Sequence, residues 1–219
     1  MTSTDQAVRM AAIAGLLHDL GKFTLRAGRG GNRIWDEQAK RDFKYKHAML
    51  SASVVDDVVP KAWRPAVAAA VGNHHRPRQE HVGDLAVALA DHLSAAERDA
   101  HAADDDVDRA KPAGHPQQLL SIFAQLKADG DGLEVVAQAN AYMPLAPLTM
   151  TYDALFPGPA LDGAQVWKTY NALYGEFEAA AATLRKVYEP DGDVDAYLES
   201  LLLLLQRTAW SVPAAYLYC

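Results

Sequence analysis

Residues 15–28 read GLLHDLGKFTLRAG, and the change inside this stretch from Leu16-Leu17 to His18-Asp19 sets the reading of the chain. Upstream, Ala7, Val8, Ala11, Ala14 and Leu17 fall on one stripe of a helix expected over 5–20. A buried aliphatic face therefore runs straight into an imidazole and a carboxylate. Gly21 is the expected helix stop, and Gly28, Gly30 and Gly31 mark a loop beyond it.

Working outward, the pattern stays helical. Helices are expected over 46–59 (Met49, Val54, Val55, Val58 apolar, ending at Pro60), 61–75, 80–101, 116–128, 164–188 and 193–207. Pro77 disfavours helical geometry at Arg76, so the third helix should close at His74–His75. Residues 103–115 are acidic with Pro112 and read as a loop. Pro144, Pro147, Pro157 and Pro159 predict a short extended segment around 133–159. The LLLLL run at 201–205 is apolar all round, which predicts a helix buried between elements. The fold class is thus mainly α. The expected domain is 1–207, with a core at 1–102, the loop, supporting helices over 116–207, and an extended tail at 208–219.

Composition narrows the function classes. The 219 residues are 50% hydrophobic and 22% charged, with a net charge of −7. That balance fits a globular chain and excludes attachment to nucleic acid by overall charge. The single cysteine, Cys219, excludes a disulfide framework and a cysteine-built zinc cage. No apolar run approaches the roughly 20 residues that span a bilayer, so no membrane partner is expected. With no signal-peptide pattern, the expected compartment is cytoplasmic. The charge is uneven: residues 1–50 carry a net +4 and the remainder a net −11. The basic excess sits where the chemistry sits.

Seven of the eight histidines precede residue 102. His18 with Asp19, His47, the pair His74–His75, and Asp91 each lie on or at the end of an expected helix. They are separated by 29 residues from His18 to His47, 27 from His47 to His74 and 16 from His75 to Asp91. Each interval is about one helix plus a loop, so successive helices can point one ligand apiece into a common seam. Imidazole with carboxylate suits divalent transition metals. Two ions about 3.5–4 Å apart are a usual device for phosphoester hydrolysis. Other readings stand beside this one. His47 alone fits a cap, and His74–His75 fit a polar helix terminus. Asp91, on an apolar stripe, needs a partner, either a metal or Arg98. His81, His92, His101 and His115 read as surface groups.

The fragment LLHDLGK (16–22) resembles the signature of the HD superfamily of metal-dependent phosphohydrolases. HDLGKFTLRAG (18–28), KHAMLSASVV (46–55), NHHRP (73–77) and ALADHLSAAERD (88–99) follow in order. That series resembles the N-terminal HD nuclease domain of the large, polymerase-like subunit of type III CRISPR effector complexes. LLLLLQRTAWSVPAAYLY (201–218) is similar to the stretch leading on toward the first palm domain of that subunit.

The resemblance implies a circularly permuted HD helical bundle. It implies metal-dependent cleavage of single-stranded DNA, favoured by Mn or Ni, with one or two ions bound. It also implies other complex subunits and a guide RNA as partners. It assigns metal binding to His18, Asp19, His74, His75 and Asp91, with His47 as a ligand or helper. His18, Asp19 and Lys22 are the expected catalytic set. Lys22, Arg26, Arg29 and Arg76 are the expected nucleic-acid contacts, alongside Arg33 and Lys40–Lys46. Lys22 reads equally as a snorkelling helix-end lysine. Arg98 is expected to orient Asp91. The family's palm motif G-G-D-D does not occur in these 219 residues, so no oligoadenylate synthesis is expected of them. The apolar tail makes a homodimer of the isolated domain a further expectation. The competing readings are a nucleotide or cyclic-nucleotide phosphohydrolase and a catalytically silent docking module.

Overall fold

Helix α1 (Ser3–Leu17) buries Met10, Ile13, Ala14 and Leu17 along one stripe and ends at the turn His18–Asp19. Helix α2 (Leu20–Arg26) starts at once. Gly21 is therefore not the stop expected of it; it lies inside α2. The physical reason is packing. Its missing side chain lets α2 lie against the backbone of α4, and its N–H donates to the Ser51 hydroxyl at 2.7 Å. The computed structural model describes residues 3–30, 35–94, 118–121, 141–189 and 192–213.

A short helix the periodicity did not announce, α3 (Glu37–Asp42), is capped by the Asp36 carboxylate on the Ala39 N–H. Helices α4 (Lys46–Val58) and α5 (Arg64–Asn73) follow close to expectation, and α6 (Val82–Ser94) does so as far as it is described, the expected part at 95–101 lying outside the described residues. After Asn73 the chain turns through His74–His75, with the Arg76 N–H on the Asn73 carbonyl, and reaches Pro77. Helix α7 (Tyr152–Leu155) is one turn. Helix α8 (Gly163–Tyr188) begins with a reciprocal cap between Asp162 and Gln165. Helix α9 (Val194–Ala209) is capped by Asp193 and tied to α1 by a two-pronged Arg9–Asp195 pair at 2.6 and 2.7 Å.

These helices share one core. Helix α1 packs on α5, α6 and α9, α4 packs on α2, α5 and α8, and α8 packs on α2 and α9. Phe23 of α2 meets Tyr174 of α8 edge-on at 5.0 Å, and Trp63 meets Tyr197 of α9 at 5.3 Å. The fully buried Tyr197 hydroxyl donates to the Val58 carbonyl at the end of α4. The molecule is the mainly helical bundle the sequence predicts.

Three further expectations need correction. Residues 118–121 are extended, not the start of a helix: Leu120 bridges Tyr142, which bridges Gly158. Backbone pairing with the proline-rich stretch overrides the apolar spacing there, and 122–128 lie outside the described residues. The LLLLL run is not buried all round. Leu201 is enclosed, but Leu202 and Leu203 are 41% and 66% exposed, because α9 packs by one face on α8 and α1. Thr208 and Ala209 are helical rather than part of an extended tail, and Trp210 donates its indole N–H to the Ala146 carbonyl. Of the expected extended segment, 141–159 is irregular apart from α7, with isolated bridges at Tyr142 and Gly158. Its part at 133–140, the loop at 103–115 and the tail at 214–219 lie outside the described residues.

Candidate metal centre

All six expected donors come to one place. His18 ends α1, Asp19 opens α2, His47 sits in the first turn of α4, His74 and His75 end α5, and Asp91 projects from α6. Asp19 stands at the N-terminal boundary of α2, where an aspartate ordinarily caps the helix. Here its carboxylate makes no capping bond and turns inward instead.

The donors form two sets. His18, Asp19 and Asp91 are one, and His47, His74 and His75 the other; in each set the candidate ligand atoms lie within 4.8 Å of one another. Asp19 joins them. Its Oδ2 is 3.5 Å from His18 Nε2, and its Oδ1 is 3.5 Å from His47 Nε2. His18 Nε2 is also 3.5 Å from Asp91 Oδ1, and His47 Nε2 lies 3.4 and 3.0 Å from the Nε2 atoms of His74 and His75. Two donors each about 2.0–2.2 Å from one ion stand about 3–3.5 Å apart, so these spacings fit divalent metals.

Backbone carbonyls fix two of the rings. His18 Nδ1–H donates to Gly15 O at 2.7 Å, and His74 Nδ1–H donates to Val71 O at 2.6 Å. With the proton on Nδ1, the Nε2 lone pair faces the seam, the arrangement that metal-binding histidines use. Electrostatics agree. Burial pushes His74 down to about 4, with His18 and His47 adding to the shift against the pull of the Val71 carbonyl. Burial and the neighbouring His74 push His75 down to about 3. Both are therefore neutral donors at physiological pH. At His18 burial opposes the proton, but the hydrogen bond to Asp91 and the charge of Asp19 outweigh it and raise its pKa. Asp91 is held well below the usual carboxylate range, first by its hydrogen bond to His18. At Asp19 burial favours the neutral acid, yet His18, Lys22 and His47 overcome it and lower its pKa. Two ionised carboxylates facing one imidazole draw in positive charge, which a divalent cation supplies.

Lys22, only 8% exposed, holds Asp19 Oδ2 at 3.0 Å. It is thus a counter-ion to the shared carboxylate. The expected basic surface is less uniform than the sequence suggests. Arg26 is buried at 5% exposure, which removes it from any open groove, because α2 turns that face toward the core. Arg29 is exposed but tied to Asn171 at 3.2 Å and Glu178 at 3.6 Å on α8. Arg76 is exposed beside His75, with a guanidinium N–H on the Arg41 carbonyl at 3.2 Å. Arg33 and Arg98 lie outside the described residues, and the partner observed for Asp91 is His18.

Sequence reasoning passed over two further residues. Asp84, 2% exposed, accepts from Arg78 Nε at 2.8 Å and Nη2 at 3.2 Å. The pair pins the turn after His75 to the first turn of α6 and so sets Asp91 against the histidines. An aspartate in a helix's first turn reads as a surface group, so no local signal separates it. Asp84→Ala should lower unfolding free energy by about 1–3 kcal/mol in urea denaturation, the cost of losing a charge-assisted bond. Unchanged stability would show that the pair holds nothing. The other residue is Tyr45, whose ring lies 4.6 Å from that of His75.

A cleft of about 490 Å³ opens elsewhere, between α1, α5 and α6, with Met10, Trp63, Ala66 and Asp84 among its walls; none of the six donors lines it. Among the described residues no helix is long and apolar enough to cross a membrane. Comparison with curated proteins and with solved structures finds no match. Comparison with models of protein families does: residues 3–96, the span that carries all six donors, match the HD domain.

Proposed function

We propose that this protein is a metal-dependent phosphodiesterase that cleaves single-stranded DNA, the nuclease module of a cytoplasmic type III CRISPR interference complex with its guide RNA. An HD domain implies metal-dependent phosphohydrolase chemistry. The observation that carries the reading is the pair of donor sets sharing Asp19. His18, Asp19 and Asp91 would hold one ion, and His47, His74 and His75 the other, with Mn or Ni the proposed metals. Such ions supply Lewis acidity to a phosphoryl group and a nucleophile at neutral pH.

The chain's own residues do the rest. The carbonyls of Gly15 and Val71 keep His18 and His74 in the donor tautomer. Lys22 holds Asp19 between the sets, and its ammonium would stand beside a phosphate bound there. A polymeric substrate is favoured by the sequence KRDFKYK (40–46) leading into His47, with Arg76 beside His75. Basic residues and an aromatic at one rim suit a strand held by its backbone with tolerance of sequence.

The test is cleavage of single-stranded DNA with Mn, Ni, Mg or EDTA, beside mononucleotides and cyclic dinucleotides. Metal-dependent DNA cleavage should fall more than about 100-fold in the His18→Ala/Asp19→Ala variant, beyond the loss seen when only a ligand's supporting partner is removed. Hydrolysis of the cyclic or mononucleotide substrates alone would replace this reading with a small-molecule phosphohydrolase. Metal bound without any cleavage would leave a docking module.

A further inference from the structure

The three ring-borne donors around His47 are not held alike. His74 is fixed through Nδ1 by the Val71 carbonyl, as His18 is by Gly15. His75 has no such bond among the described residues. Its hydrogen-bond partner among the described residues is His47, Nε2 to Nε2 at 3.0 Å, a contact that engages the donor atom and not the far nitrogen. A partly exposed imidazole held only at its donor atom rotates, because its second torsion is broad and nearly two-fold. What confines the ring is aromatic contact: within the donor set the His74 and His47 rings stand 3.9 and 5.0 Å from it, and from outside the set Tyr45 closes on it. Tyr45 meets His75 edge-on, with centroids 4.6 Å apart and planes at 86°. The same ring lies nearly parallel to His47 at 15° and 5.8 Å.

Tyr45 is itself well placed for this. It is the residue before the first turn of α4, extended at φ −134° and ψ 150°, and its side chain makes no capping bond. The start of the helix that carries His47 thus also sets where the Tyr45 ring stands. The Lys44 ammonium lies 5.0 Å above the ring centroid, a cation–π contact that steadies the ring from outside. Among the described residues Tyr45 has ring contacts with His47 and His75 and none with His18.

We infer that Tyr45 is a positioning residue for one donor set: it orients His75 and so secures the His47, His74, His75 ion, and it leaves the His18, Asp19, Asp91 ion untouched. The inference rests on the metal-binding reading of the site. It makes the histidines unequal in how they are supported: His18 and His74 each by a backbone carbonyl, His75 by a replaceable aromatic side chain.

The full chain, stripped of metal, is titrated with Mn and with Co by calorimetry, and the Co form is followed by its visible absorption. The unaltered protein should take two ions. In Tyr45→Ala one ion should bind as before and the other about 10–100-fold more weakly, the range found when a ligand's supporting partner is lost. Tyr45→Phe should restore the second ion, since the ring and not the hydroxyl makes the contact. His18→Ala should weaken the other ion instead. Two ions bound normally by Tyr45→Ala would overturn the inference and leave the metal reading intact. Equal weakening of both ions with a lowered melting temperature would overturn it as well, showing a general effect on the fold. A phenylalanine variant as weak as the alanine one would move the effect to the hydroxyl and overturn it too. No ion bound by the unaltered protein would bring down the metal reading itself.

Discussion

Asp19→Asn should weaken both donor sets at once. The substitution keeps the shape of the side chain and removes its charge. One carboxylate oxygen faces His18 Nε2 and the other faces His47 Nε2, each at 3.5 Å. An amide offers one oxygen, so at least one set loses its share of Asp19, and its NH2 group presents hydrogens where a cation belongs. Tight binding of both ions should be lost, and any metal-dependent hydrolysis should fall more than about 100-fold, beyond the loss from a missing supporting partner. Asp91→Asn is the control: Asp91 faces only His18, so the His47 set should still load. Two ions bound at full affinity by Asp19→Asn would show that Asp19 does not join the sets. The variant also leaves the Lys22 ammonium, in a side chain 10% exposed, without its anion. In EDTA its unfolding free energy should therefore drop by about 1–3 kcal/mol.

The cluster of candidate donors was readable in the sequence because it is local chemistry repeated at helix-sized intervals. Each donor lies beside an aliphatic run whose period marks a helix, and the Pro77 restriction ends α5 at His74–His75. What the sequence did not carry is tertiary. Gly21 has the local signature of a stop and is a contact. Arg26 reads as a nucleic-acid contact and is buried on the core-facing side of α2. Leu202 and Leu203 read as core and are exposed, since a run of five leucines has no period to say which face turns inward. Leu120 has helical apolar spacing, yet it pairs with Tyr142, a partner 22 positions away that no window sees. The pairing of Asp84 with Arg78 depends in the same way on where a turn brings two charged groups.

Gly21 gives the second large effect, and it acts on fold and site together. A Cβ at this position would drive into the carbonyl oxygen of His47 and would stand 2.8 Å from the Ser51 nitrogen. Both are backbone atoms of α4, so no rotamer change relieves the clash; α2 and α4 must move apart. Overpacking a well-filled core costs about 1–3 kcal/mol, and a clash with backbone belongs at or above the top of that range. Gly21→Ala should therefore lose about 3 kcal/mol and melt roughly 6–12 °C lower, at 2–4 °C per kcal/mol for a chain of this size. Because α2 opens with Asp19 and α4 with Lys46–His47, the same separation lengthens the Asp19–His47 contact that joins the donor sets, so metal affinity should fall with stability. Ser51→Ala separates the two causes. It deletes the hydroxyl that accepts the Gly21 N–H and inserts nothing, so it should cost about 1–3 kcal/mol for the unsatisfied donor while metal binding is kept. Gly21→Ala melting within a degree of the unaltered protein would mean that the helices do not touch through their backbones. Destabilisation with metal affinity unchanged would mean that the spacing of α2 and α4 does not set the position of Asp19.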